Sequence, residues 1–274
     1  MKSKSKTSNI ATIKKSDYGI TRDGQFVELY TLTNTNGIEV DIITYGGIIT
    51  SLKVPNKNGK IENIVLGFDS LEGYLNDNFY FGALIGRFAN RISKGNFTLN
   101  QTEYEVAKNI EAHHLHGGEK GFDKVVWKAK PIIENDSVSL KLTYFSRDME
   151  EGYPGNLTTT VTYTLTNNNE LKVFYEATTD KITIVNYTQH SYFNLSGDLS
   201  KQILDHELII NADTFLPVDE KAIPTGEFKS VVDTPFDFRT AKTIGKDIHA
   251  NNEQLITRLL DFIQNNHACP MESL

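Results

Sequence analysis

The stretch Val161-Thr162-Tyr163-Thr164-Leu165-Thr166-Asn167-Asn168-Asn169-Glu170-Leu171-Lys172-Val173-Phe174-Tyr175 alternates apolar and polar residues on both sides of an asparagine-rich break. In an extended chain successive side chains point to opposite faces, so Val161, Tyr163 and Leu165 share one face, as do Leu171, Val173 and Tyr175. Two such runs joined by turn-forming residues predict a long antiparallel hairpin.

The same period extends outward. Val138, Leu140, Leu142 and Tyr144 repeat it upstream, and Ile38, Val40 and Ile42 alternate with Glu39 and Asp41 just after Asn36-Gly37. Asn58-Gly59 marks another turn after Leu52-Lys53-Val54. Many short strands, frequent turns and almost no helical period before residue 250 predict an all-β fold, a single large antiparallel β-sandwich spanning residues 1–274. The segment 249–274 is the atypical tail. Beyond Asn251 and Asn252, which can cap a helix, Leu255, Ile256, Leu259, Leu260 and Ile263 fall at i, i+3 and i+4 spacings, and Pro270 stops any continuation.

Composition limits the function classes. The chain has 274 residues, 39% hydrophobic and 23% charged, enough apolar material for a core. Its formal charge of −7, with lysines scattered among acids, disfavours nucleic acid and membrane surfaces as partners and leaves a small molecule. With one cysteine, Cys269, neither an intrachain disulfide nor a cysteine-based zinc site can form. No apolar segment follows the basic N-terminus and none is long enough to span a bilayer, so a cytoplasmic location is expected. A monomer and a homodimer both remain open.

Three clusters carry candidate chemistry. Asn186-Tyr187-Thr188-Gln189-His190-Ser191-Tyr192-Phe193-Asn194-Leu195, read as a strand, sets Asn186, Thr188, His190, Tyr192 and Asn194 on one face. A polar row around an imidazole and a phenol suits a sugar cleft, although alternating polar residues also describe a solvated sheet face. His113-His114-Leu115-His116-Gly117-Gly118 invites a metal reading. Three histidines on one strand do not converge, however, and no carboxylate or cysteine motif stands at ligand spacing, so no metal is expected. The paired glycines instead permit a tight turn that aims His116 inward. In Gly86-Arg87-Phe88-Ala89-Asn90-Arg91-Ile92, two arginines offer planar donor forks for vicinal hydroxyls, or alternatively pair with surface acids.

Taken together and in their order along the chain, the three clusters resemble the aldose 1-epimerase (galactose mutarotase) family, whose members carry GRxANRI, LHGG followed by GFDKxxW, and NxTxHxYFNL. Leu66-Gly67-Phe68-Asp69, Gly152-Tyr153-Pro154-Gly155-Asn156-Leu157 and Thr214-Phe215-Leu216-Pro217-Val218-Asp219 add to the likeness, which runs from about residue 18 to about residue 248. The resemblance implies a galactose mutarotase-like β-sandwich, a free aldose such as glucose or galactose as substrate, and no cofactor. Carried over, it makes His190 the general acid toward the ring oxygen and His116 the histidine that binds near that oxygen and supports proton transfer. Asn90, Arg91 and Tyr192 become substrate-binding residues.

The chain also departs from the family pattern. Glu111-Ala112-His113 stands where relatives often show a glycine-proline-asparagine run. The family's general base is a glutamate in a strand beyond the point where this sequence stops, and no glutamate here occupies a matching motif. Asp261, in Leu259-Leu260-Asp261-Phe262, stands at the distance of the family's substrate-binding aspartate, although it falls within the helical pattern. The resemblance therefore implies a C-terminally incomplete epimerase. A sugar-binding protein with impaired catalysis and a truncated or frame-shifted product are the alternatives.

Overall fold

Period-two alternation lets a strand bury one face while the other stays polar, and the two longest strands show its effect: Val138, Leu140, Leu142, Val161, Tyr163 and Leu165 are all buried. The computed structural model describes residues 10–76 and 79–255. Contacts divide the chain into two compact units, Met1–Phe193 and Asn194–Leu274. No linker composition marks the division, which falls inside the NxTxHxYFNL motif.

The first unit opens with an antiparallel meander of β1 (Thr12–Ile20), β2 (Phe26–Thr33), β3 (Glu39–Ile43), β4 (Ile49–Pro55) and β5 (Ile61–Asn63). Gly37, at φ +81°, and Gly59, at φ +78°, turn the chain between β2 and β3 and between β4 and β5, as the Asn-Gly pairs predict. Helix α1 (Leu71–Leu75) follows. Short ladders come next: β6 (Leu84–Ile85), β7 (Arg91–Ile92), β8 (Asn96–Leu99), β9 (Thr102–Glu105) and β10 (His114–Leu115). The second large sheet is β11 (Lys128–Ile133), β12 (Ser137–Ser146), β13 (Leu157–Thr166) and β14 (Leu171–Thr179), antiparallel throughout. The predicted hairpin is β13–β14, with Val161 opposite Tyr175 and Leu165 opposite Leu171.

Tyr30, Leu32, Val40, Ile42 and Ile49 from the first sheet join Leu140, Leu142, Val161 and Tyr163 from the second in one apolar cluster. The two sheets therefore pack face to face, and the all-β sandwich expected from the sequence is the fold observed. Each such side chain contributes about 1.5–3 kcal/mol by leaving water. The phenol of Tyr163, fully buried, donates to the Gly47 carbonyl at 2.9 Å, so its burial leaves no polar group unmatched there.

One further ladder strand, β15 (Thr188–Gln189), closes the first unit against β6. The second unit contains β16 (Glu207–Leu208) paired with β19 (Lys242–Thr243) and β17 (Thr214–Phe215) paired with β18 (Lys229–Ser230). Asn252 Oδ1 accepts the Gln254 N–H at 3.0 Å. The remainder of the helical pattern, and Asp261 with it, lies outside the described residues.

Candidate active site

The segment that carries His190 lies beside residues 82–89, but not as a regular strand. Asn186 N–H donates to the Arg87 carbonyl and Ala89 N–H to that of Asn186; Thr188 and Gln189 pair with β6; His190 N–H donates to the Ala83 carbonyl and Gly82 N–H to that of His190. Leu66 N–H then donates to Tyr192. The backbone changes partner every few residues, so the strict alternation expected along 186–195 breaks down. Phe193 is 50% exposed, whereas Asn194, expected on the sugar-facing row, is 2% exposed. The Asn194 side-chain amide donates to the Lys201 carbonyl at 2.7 Å within the second unit, a loop-closing role.

His116 reaches the same region through a strained turn. His114 and Leu115 pair with Ile92 and Arg91, and immediately beyond this ladder both Asn90 (φ +65°) and His116 (φ +52°) turn left-handed. A Cβ added to Gly117, at φ +93°, would sit 1.8 Å from the Gly86 carbonyl oxygen; one on Gly118 would sit 2.0 Å from a Glu151 carboxylate oxygen. Only glycine fits either position, which explains the pair. The loop is tied at several points. Asn109 exchanges hydrogen bonds with Leu115 and its amide also reaches the Gly118 carbonyl; Glu151 accepts the N–H groups of Glu119 and Lys120 at 2.9 and 3.0 Å.

Together these segments bring His116 and His190 to 5.3 Å between ring centroids, edge to face. Tyr80, itself at φ +59°, lies against both imidazoles, 4.8 Å from His116 and 5.7 Å from His190. Tyr192 packs 5.2 Å from His190 and meets Phe81 edge-on at 5.1 Å. Burial first, then the neighbouring His190, Arg91 and His114, hold the His116 pKa down at about 3, so this imidazole is neutral at ordinary pH. Asn90 is exposed and Arg91 half-buried. Non-glycine residues with positive φ are uncommon, and three of them, Tyr80, Asn90 and His116, occur in this one region.

The two arginines of Gly86–Ile92 part company. Arg87 is 2% exposed and donates to Ser146 Oγ and to the carbonyls of Ser146, Arg147 and Pro154. It binds neither hydroxyls of a ligand nor surface acids but ties the end of β12 to the turn before β13. The three histidines likewise have separate roles. His113 Nδ1 accepts from Lys94 N–H, His116 Nδ1 accepts from Asn90 N–H, and His114 lies buried between the Ala107 carbonyl and the Tyr153 hydroxyl. Among the described residues, no group of three or more His, Cys, Asp or Glu is placed to hold a metal ion. Tyr80, Phe81 and Glu151 escaped sequence reading. The run Phe79-Tyr80-Phe81-Gly82 just before β6 was the available signal for the first two.

A family model described as aldose 1-epimerase matches residues 28–268. The chain belongs to the aldose 1-epimerase family. The match runs through most of the segment after residue 248 that the motifs leave out. Galactose mutarotase of Bos taurus is 49% identical over 228 residues, covering 82% of this chain and 65% of that protein. Aldose 1-epimerase of Escherichia coli K12 is 39% identical over 232 residues, covering 85% and 66%. The chain thus spans about two thirds of the length of these relatives. A galactose 1-epimerase crystal structure from Lactobacillus acidophilus superposes with a TM-score of 0.82 at 32% identity, covering 90% of this chain and 71% of that one. Among the described residues no helix is long and apolar enough to cross a membrane.

Proposed function

We propose that this chain binds a free aldose such as glucose or galactose and interconverts its α and β anomers by acid–base ring opening. The observation that supports this reading most strongly is the meeting of His116 and His190 beside Asn90 and Arg91 in one unit. Ring opening passes the proton of the anomeric hydroxyl to water, breaks the bond between C1 and the ring oxygen, and delivers a proton from His190 to that oxygen, after which His190 regains its proton from solvent. Rotation about C1–C2 then lets the ring close on either face. His190 serves as the acid, and a well-placed proton donor is worth about 10²- to 10⁴-fold in rate. His116 binds the ring oxygen, Asn90 and Arg91 hold hydroxyls, and the Tyr192 ring supplies an apolar wall. Asp261 is a further candidate for substrate binding.

The alternative reading is a sugar-binding protein that holds the aldose without accelerating its ring opening. Polarimetry of freshly dissolved α-glucose separates the two. A rate enhancement lost on His190→Ala supports the epimerase. Sugar binding by calorimetry, unchanged by a chelator, with no rate enhancement supports the binding protein, and absence of both refutes the aldose reading.

A further inference from the structure

We infer that Asn90, through its backbone N–H, is the positioning residue of His116: it fixes the imidazole as the Nε2–H tautomer, making His116 a permanent hydrogen-bond donor to the sugar rather than a proton carrier. The inference rests on the aldose reading of this site and adds to it the backbone group that sets the tautomer of His116.

The geometry begins where the β7–β10 ladder ends. Arg91 pairs with Leu115, and the next residue on each side, Asn90 and His116, turns left-handed. Non-glycine residues rarely adopt this conformation, so two in direct contact call for a reason. Here the two residues close a reciprocal pair. His116 N–H donates to the Asn90 carbonyl at 3.0 Å, and Asn90 N–H donates to His116 Nδ1 at 3.0 Å. A backbone N–H can only donate, so Nδ1 must present its lone pair, and the single proton of the neutral ring must sit on Nε2.

Protonating Nδ1 would set two donors against one another and sever the bond to Asn90. The groups facing the ring act in the same sense. His190 from the 186–192 segment, Arg91 from β7 and His114 from β10 all disfavour a cation there, while the Tyr80 ring packs edge-to-face against it. His116 can therefore give a hydrogen bond from Nε2 but has no free site at which to take up a proton. Proton delivery falls to His190. The neighbouring His114 is the mirror case. The Ala107 carbonyl, 2.6 Å away, can only accept, so His114 Nδ1 carries the proton and Nε2 accepts from the Tyr153 hydroxyl at 2.5 Å. Backbone groups of opposite polarity thus hold two histidines, separated by Leu115, in opposite tautomers.

Two-bond ¹H–¹⁵N correlation spectra of the ¹⁵N-labelled chain read both tautomers directly, with signals assigned from His114→Gln and His116→Gln. From pH 7.5 down to pH 5, His116 should show a protonated Nε2 and an unprotonated Nδ1, and His114 the reverse. Asn90→Gly keeps the N–H and suits a φ of +65°. It should preserve the His116 tautomer while weakening glucose binding about tenfold, the worth of one side-chain hydrogen bond. An Nδ1–H tautomer, a mixture of tautomers or an imidazolium at pH 6 would overturn the inference, even if glucose binds. The expected tautomer in a chain that binds neither glucose nor galactose would remove the aldose reading and the donor role with it.

Discussion

Replacing Arg87 by methionine removes a charge whose four hydrogen bonds all end on groups within residues 146–154. Methionine fills much of the volume, so packing loss is secondary, and the effect comes from the acceptors left behind. Ser146 Oγ, which receives Arg87 Nε, itself donates to Glu150, and Tyr144 donates to the same carboxylate at 2.7 Å. Glu150 is the nearby charge that most favours the guanidinium, against the cost of its burial. Hydrogen bonds to charged groups are worth about 1.5–3 kcal/mol each, but four in one network are not additive. Breaking a buried charged network by deleting one partner costs about 3–5 kcal/mol in total. At about 2–4 °C per kcal/mol for a unit of this size, the melting temperature should fall by roughly 6–20 °C. Urea unfolding followed by Trp127, the only tryptophan and fully buried in the first unit, measures the loss. Arg87→Lys should recover part of it, since an ammonium has the charge but not the planar fork. Adding Glu150→Gln to Arg87→Met should cost less than the two single losses combined. A wild-type urea midpoint for Arg87→Met would refute the assignment of Arg87 as a structural tie.

Gly117→Ala forces a methyl against the Gly86 carbonyl at a backbone conformation that alanine avoids; aldose affinity should fall at least about tenfold by calorimetry, with a destabilisation of about 2 kcal/mol or more. Tyr163→Phe leaves the Gly47 carbonyl without its donor and should cost about 1–3 kcal/mol in urea unfolding, with no change in secondary structure by circular dichroism. The His116 pKa near 3 lies below the unfolded value of about 6.5, so between these limits the unfolded chain binds the extra proton. Folded stability contributed by His116 should therefore be intact above pH 6.5 and decline as pH falls toward 3, by at most about 1.4 kcal/mol per pH unit. Urea midpoints measured from pH 7 to pH 4 should fall less steeply in His116→Gln than in the wild-type chain; parallel slopes would show that this ring is solvated.

The sandwich was legible in the sequence because a strand's buried face is a local property. Val161, Tyr163 and Leu165 alternate with threonines whatever they pack against, and Asn36-Gly37 and Asn58-Gly59 turn the chain through their own conformational freedom. The grouping of His116, His190, Asn90, Arg91 and Tyr192 was likewise legible, through three ordered motifs. The tertiary structure alone decided which partners each side chain meets, because partners so distant in sequence leave no period to read. Arg87 and Arg91 look equivalent in Gly86–Ile92, yet the acceptors that claim Arg87 lie 59 to 67 residues away. The segment 186–195 has a strand's alternation, but its backbone partners change from residue 87 to residue 66 along its length, and Asn194 turns into a loop instead of joining His190. His114 and His116 are the same residue type in the same motif. The polarity of the backbone group that reaches each ring, a carbonyl from Ala107 and an N–H from Asn90, separates the buried His114 from the His116 ring that meets His190.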